Sequence, residues 1–159
     1  MRRVLIVLAS LIALVAAGCG GSDDGGGGGV SKQDYARQLS QATAALRQAF
    51  DDLAKTSSDG TSTKAAAARL EKGASALEQA ADRFDAITPP EASKDAHEKI
   101  VDGLRKMASQ FQQGADAAKK GDAAAVAKAL QGIAGSAGAR EIQQAQQELQ
   151  RQGVTVTTP

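Results

Sequence analysis

The chemistry open to this sequence rests on very few side chains: one cysteine (Cys19), one histidine (His97) and three close carboxylate pairs, Asp51–Asp52, Asp82–Asp85 and Asp95–Glu98. A Ser-His-Asp triad would have to use His97, and the strained nucleophile turn G-x-S-x-G is missing. Carboxylate-bridged metal sites in four-helix proteins take Glu-x-x-His from each of two helices. Here Lys94 stands three residues before His97, and there is no second histidine. Zinc would find one imidazole and no thiolate set. Met107 follows His97 by ten residues on one helical stretch, about 15 Å along a helix axis, so the two cannot ligate one haem iron. The covalent haem motif C-x-x-C-H is missing, and the glycine run carries no Gly-Lys-Ser/Thr to cradle phosphate. Carboxylate pairs on amphipathic helices belong to the solvated face. The expectation is a protein with no catalytic residues, no metal site and no cofactor, its ligand-binding residues unassigned.

Cys19 has a different chemistry. Arg2 and Arg3 give a basic start, and an apolar run of about 14 residues follows from Val4 to Ala17. A bilayer span needs about 20 apolar residues, so the run is too short to cross as a stable helix. A basic start and an apolar stretch of this size read as a signal peptide, residues 1–18. Ala16, Ala17 and Gly18 are small enough for a signal-peptidase pocket, and Cys19 comes directly after them. The sequence VAAGC resembles a bacterial lipobox, in which a thioether lipid is attached to the cysteine before cleavage; Ala16 stands where most lipoboxes carry Leu. Lipidation also accounts for the solitude of Cys19, since a lone thiol in an oxidising compartment has no disulfide partner. The two or more acyl chains that the resemblance implies, palmitate among them, hold a protein far more firmly than one chain does.

GGSDDGGGGG follows at 20–29. Glycine loses the most entropy on ordering, so residues 19–30 read as the lipidated cysteine and a flexible tether, about 15–20 Å end to end. Without Arg2 and Arg3 the chain has 17 basic residues against 18 acidic ones, and no basic stripe. Nucleic acid is therefore not an expected partner. Lys119 and Lys120, beside Gly121, read as cations favoured at a helix C-terminus.

Four segments between residues 31 and 153 carry the helical period that fixes where His97 sits. Tyr35, Leu39, Ala42, Leu46, Ala49 and Leu53 alternate steps of four and three, as do Ala67, Leu70, Ala74, Leu77, Ala81 and Phe84. A third stripe is His97, Ile100, Leu104, Met107 and Phe111; a fourth is Val126, Leu130, Ile133 and Ala137, slipping by five to Ile142, Ala145 and Leu149. Such stripes place one apolar seam on each helix. His97 falls on a seam near a helix start and reads as a partly buried structural histidine.

Boundary signals agree. Ser31 with Asp34 approximates a capping box, and SSDGTST at 57–63 is a turn. Thr88-Pro89-Pro90-Glu91 offers a cap, a proline at the first helical position and an acid three residues after the cap. Gly121 closes the third helix and Asp122 caps the fourth. Short connections make neighbouring helices antiparallel, so the expected fold is an all-α, antiparallel up-down four-helix bundle. GSAG at 135–138 puts two glycines into the fourth helix, each costing about 1 kcal/mol against alanine, and predicts a kink or break there. The ending VTVTTP, 154–159, is read as a disordered tail.

FDAITPPEASKDAHEKIVDGL (84–104), KKGDAAAVAKAL (119–130) and IQQAQQELQRQG (142–153) are the recognisable pieces of a longer likeness. From about Tyr35 to Gly153 the chain resembles a group of lipoproteins and secreted helical proteins of unknown function from high-GC, actinobacterial-type bacteria. Members often carry one cysteine near the start of the domain and another near its end. Neither is present here, so the disulfide clasp that the resemblance implies is missing. The resemblance implies the extracytoplasmic face of the cell membrane. The functional expectation is a non-catalytic module held by membrane lipid on Cys19, binding an envelope protein or wall component. The alternatives are a carrier or sensor of a small apolar ligand held between helices, and a chaperone-like helical envelope protein.

Overall fold

A computed structural model describes residues 30–55, 62–133 and 135–156. The expected signal peptide (1–18), lipobox (Ala16, Ala17, Gly18), lipidated Cys19 and tether (to residue 29 of the expected 19–30), most of the turn at 57–63 and residues 157–159 lie outside the described residues. Those described form an all-α helical bundle of five α-helices: α1 (Lys32–Lys55), α2 (Thr63–Asp85), α3 (Lys94–Lys119), α4 (Ala123–Ile133) and α5 (Ala137–Arg151). A short 3-10 turn, Glu91–Ser93, leads into α3.

Cross-helix pairs fix the directions. Asp85 at the end of α2 meets Arg105 on α3 (3.2 Å), and Glu71 early in α2 pairs with Lys119 at the end of α3, so these helices are antiparallel. Lys99 with Glu148 (3.0 Å) and Lys106 with Glu141 (2.6 Å) set α5 antiparallel to α3. Tyr35 meets His97, and Phe50 meets Phe111 edge-on at 6.2 Å between ring centres, so α1 runs parallel to α3. The up-down order is therefore present, with α4 and α5 as two consecutive pieces of the fourth arm.

The stripes read from sequence are the buried faces for most of their length. All six stripe residues of α2 are buried, with Gly73 and Ala80 beside them. In α1, Tyr35, Leu39 and Ala42 are buried, whereas Leu46 and Phe50 are only partly so; the side chain of Leu53 lies outside the described set. α3 buries more than one stripe: Ala96, Val101, Gly103, Ala108, Gly114, Ala115 and Ala118 join His97, Ile100 and Leu104. It lies against α2 on one side and α4 and α5 on another, so a single seam cannot serve it. On the fourth arm Val126 is half-buried and the side chains of Leu130 and Ile133 lie outside the described set. Ala137, expected on the seam, is exposed; Gly138 takes its place in the interface.

The break at 135–138 is built from recognisable parts. Ser136, extended at φ −64° and ψ 158°, caps α5, its hydroxyl accepting from Ala139 N–H at 3.0 Å. Gly138 then lies directly against the backbone carbonyl of Gly103 on α3. A Cβ on Gly103 would stand 2.7 Å from the Gly138 carbonyl and 2.6 Å from Ile142 Cγ1. Two facing glycines thus let α3 and α5 cross with their backbones in contact, which the fourth helix reaches by restarting with a new cap.

Two other boundaries follow local rules. Gly121 (φ +75°) ends α3 and Gly153 (φ +78°) ends α5. Each sits where the chain turns left-handed, a conformation cheap only for glycine. Asp122 N–H donates to Ala117 C=O (3.0 Å) and Val154 N–H to Leu149 C=O (2.9 Å), the six-to-one bond of a Schellman ending. Asp122 also caps α4, accepting from Ala125 N–H at 2.9 Å.

Two boundary readings need correction. Thr88 does not cap α3: the residue before a proline is pushed toward extended backbone, Pro90 is itself extended (φ −58°, ψ 151°), and regular α-helix begins only at Lys94. Residue 154, read as the start of a disordered tail, is instead folded: the Schellman turn carries Val154 into the core at 1% exposure, with Val156 packed beside it.

Candidate functional site

Tyr35 and His97 form the most chemically distinctive pair among the described residues. α1 brings Tyr35 from its first turn and α3 brings His97 from its first turn, both pointing inward because both lie on their helix's apolar stripe. The phenol oxygen lies 2.9 Å from Nδ1 of the imidazole, with Tyr35 fully buried and His97 5% exposed. The rings are tilted at 57° with centres 5.7 Å apart.

Burial holds the Tyr35 phenol well above its ordinary pKa, so it keeps its proton and is available as a donor. Burial also pushes His97 below the ordinary 6.5, opposed by the Phe84 carbonyl and by the charges of Asp85 and Glu98. The neutral imidazole is favoured, accepting at Nδ1 from the Tyr35 hydroxyl. That leaves Nε2 as the protonated nitrogen. Among the described residues it has no partner in good hydrogen-bonding geometry, and the Phe84 carbonyl only partly favours a charge there. A neutral N–H can be left so at a cost of about 1–3 kcal/mol; a buried unpaired cation costs more.

The remaining candidates disperse over the surface. Asp51, Asp52, Asp82, Asp85, Asp95 and Glu98 are all exposed. Asp85 is held by Arg105, and Asp52 by Lys55. Lys119 does more than answer the end of α3, since it also reaches Glu71 across the bundle. Met107 is half-buried and lies beside Gly138, 3.1 Å from where a Cβ would stand. Among the described residues no group of three or more histidine, cysteine, aspartate or glutamate side chains is close enough to hold a metal ion. Nor is any of the described helices long and apolar enough to cross a membrane.

An open groove of about 230 Å³ runs between α1 and α2, lined by Ala45, Leu46, Ala49, Ala76 and Ala80 and by the polar side chains of Gln48, Asp52, Gln79 and Arg83. Pockets for drug-sized ligands usually have about 300–1,000 Å³. The groove lies between alanine-rich stretches of two helices, and the break at 135–138 does not line it.

Sequence periodicity placed His97 in the core but gave no sign of Tyr35 as its partner, 62 residues away. The Gly103–Gly138 contact was missed for a related reason: glycine in a helix reads as a defect until the facing helix is known. Comparison with protein-family models, with curated proteins and with solved structures finds no match.

Proposed function

We propose that the chain is a bacterial lipoprotein, anchored by lipid on Cys19 at the extracytoplasmic face of the membrane, whose helical bundle serves as a non-catalytic interaction module. The observation that carries the reading is the sequence Ala16-Ala17-Gly18-Cys19 at the end of a short apolar run with a basic start. A glycine-rich tether and then a helix-forming domain are what a membrane-held binding module needs: a firm anchor, reach and a folded surface. The likeness to actinobacterial-type lipoproteins supports the same placement. The partner is an envelope protein or wall component.

Cell fractionation of a bacterial host expressing wild type beside Cys19→Ala tests the anchor. Wild type is expected with the membranes and the variant in the soluble extracytoplasmic fraction; identical distributions would rule the anchor out. Crosslinking on intact cells followed by pull-down tests the module. Repeated recovery of one specific partner supports it, and repeated recovery of none counts against it. The carrier reading draws on the α1–α2 groove, whose lining includes Ala45, Ala49, Ala76 and Ala80 beside polar Gln48, Asp52, Gln79 and Arg83; native mass spectrometry showing only the empty mass removes that alternative. A chaperone-like role would be removed by failure to suppress aggregation of unfolded clients at equal molar ratio.

A further inference from the structure

We propose that the buried Tyr35–His97 contact is an acid-sensitive latch, and that protonation of His97 releases α1 from the bundle while α2, α3 and α5 stay packed. The inference concerns the helical domain alone and holds whether or not the chain is anchored.

α1 is the helix placed to move. Its fully buried side chains, Tyr35 and Leu39, lie in its first two turns, and further along Leu46 and Phe50 are only partly covered. α3 is held differently. It is tied to α2 by Asp85–Arg105 and Glu71–Lys119, and to α5 by Lys99–Glu148 and Lys106–Glu141. It also touches α5 backbone to backbone at Gly103–Gly138. Local opening concentrates where buried apolar contact is sparse, so α1 opens before the α2–α3–α5 body does.

The polar lock sits at the N-terminal end of α1. With His97 neutral, the Tyr35 hydroxyl donates to Nδ1 at 2.9 Å and the contact is satisfied. A proton arriving on Nδ1 turns that nitrogen into a donor facing another donor and places a positive charge at a buried site where Nε2 lacks a well-formed hydrogen bond, the Phe84 carbonyl only partly favouring it. The phenol can rotate to accept, but the charge remains buried, and water is reached by lifting α1 away. The charged groups around the ring are Asp85 at the end of α2 and Glu98 on α3, both favouring the cation. Asp85 is committed to Arg105, and Glu148 on α5 to Lys99. Burial is the largest influence and opposes the cation. Because the folded His97 titrates below its ordinary 6.5, the contribution of α1 docking is complete above that value. It is lost as pH falls through the lower, folded value.

Hydrogen–deuterium exchange on the full chain, at about pH 7.5 and about pH 5 and corrected for intrinsic rates, reads α1 separately from α3. The expected result is a loss of protection in α1 of about tenfold relative to α3 at the acid pH, absent in His97→Gln. Equal loss in both helices, no loss in α1, or the same response in His97→Gln would overturn the latch. His97 is the only histidine, so its imidazole proton signal is assigned on sight. Should His97→Gln not fold, the wild type decides alone. The imidazole must titrate below 6.5, with its midpoint coinciding with that of α1 exposure; separate midpoints would refute the proposal.

Discussion

Glycines of this chain do opposite things at the level of single residues. Gly103 and Gly138 face one another where any Cβ would strike the opposing backbone, whereas Gly132 near the end of α4 has open space around it. Gly103→Ala and Gly138→Ala are each expected to lower unfolding free energy by about 1–3 kcal/mol or more, because backbone rather than a flexible side chain must give way. Gly132→Ala is expected to raise it by about 0.4–1 kcal/mol by removing freedom from the unfolded chain. Urea titration of the three variants checks both signs. At the other buried contact, Tyr35→Phe strips the imidazole of its partner, and a loss of about 1–3 kcal/mol is expected by the same measurement at neutral pH. The period of the sequence was enough to place both Tyr35 and His97 inward. Their pairing depends on the register of α1 against α3, which no spacing within either helix encodes.

Elements start and stop largely where local chemistry dictates, so their limits were legible wherever the deciding residues are neighbours in sequence. Ser31, Asp122 and the glycine at 121 act as read. Thr88 fails because the paired prolines hold the chain extended and postpone α3 to Lys94. The break in the fourth arm was legible from GSAG, but its purpose was not: Ser136 restarts the helix so that Gly138 meets Gly103. Ser136 is 5% exposed, and Ser136→Ala is expected to cost about 1 kcal/mol, read as reduced protection in the first turn of α5. The ending after α5 was misread because a short valine-threonine run carries no helical period, yet the left-handed Gly153 turns Val154 back onto Leu149. Removal of residues 154–159 is therefore expected to lower the melting temperature measurably. An unchanged melt would mean that Val154 adds nothing to the core.

For the whole molecule, the up-down bundle and its near-neutral charge followed from sequence, while the proposed function draws on N-terminal residues that lie outside the described ones. Among the described residues the carboxylate pairs Asp51–Asp52, Asp82–Asp85 and Asp95–Glu98 are exposed, and His97 is buried against Tyr35. What distinguishes the sequence is a single cysteine placed between a short apolar run and a glycine-rich run. The most direct measurement is the intact mass of the protein recovered from the membrane and soluble fractions of a bacterial host, wild type beside Cys19→Ala. The account predicts a wild-type chain beginning at Cys19 and carrying added lipid mass, both features lost in the variant. A wild-type chain with an unmodified Cys19, or one retaining residues 1–18, would contradict it.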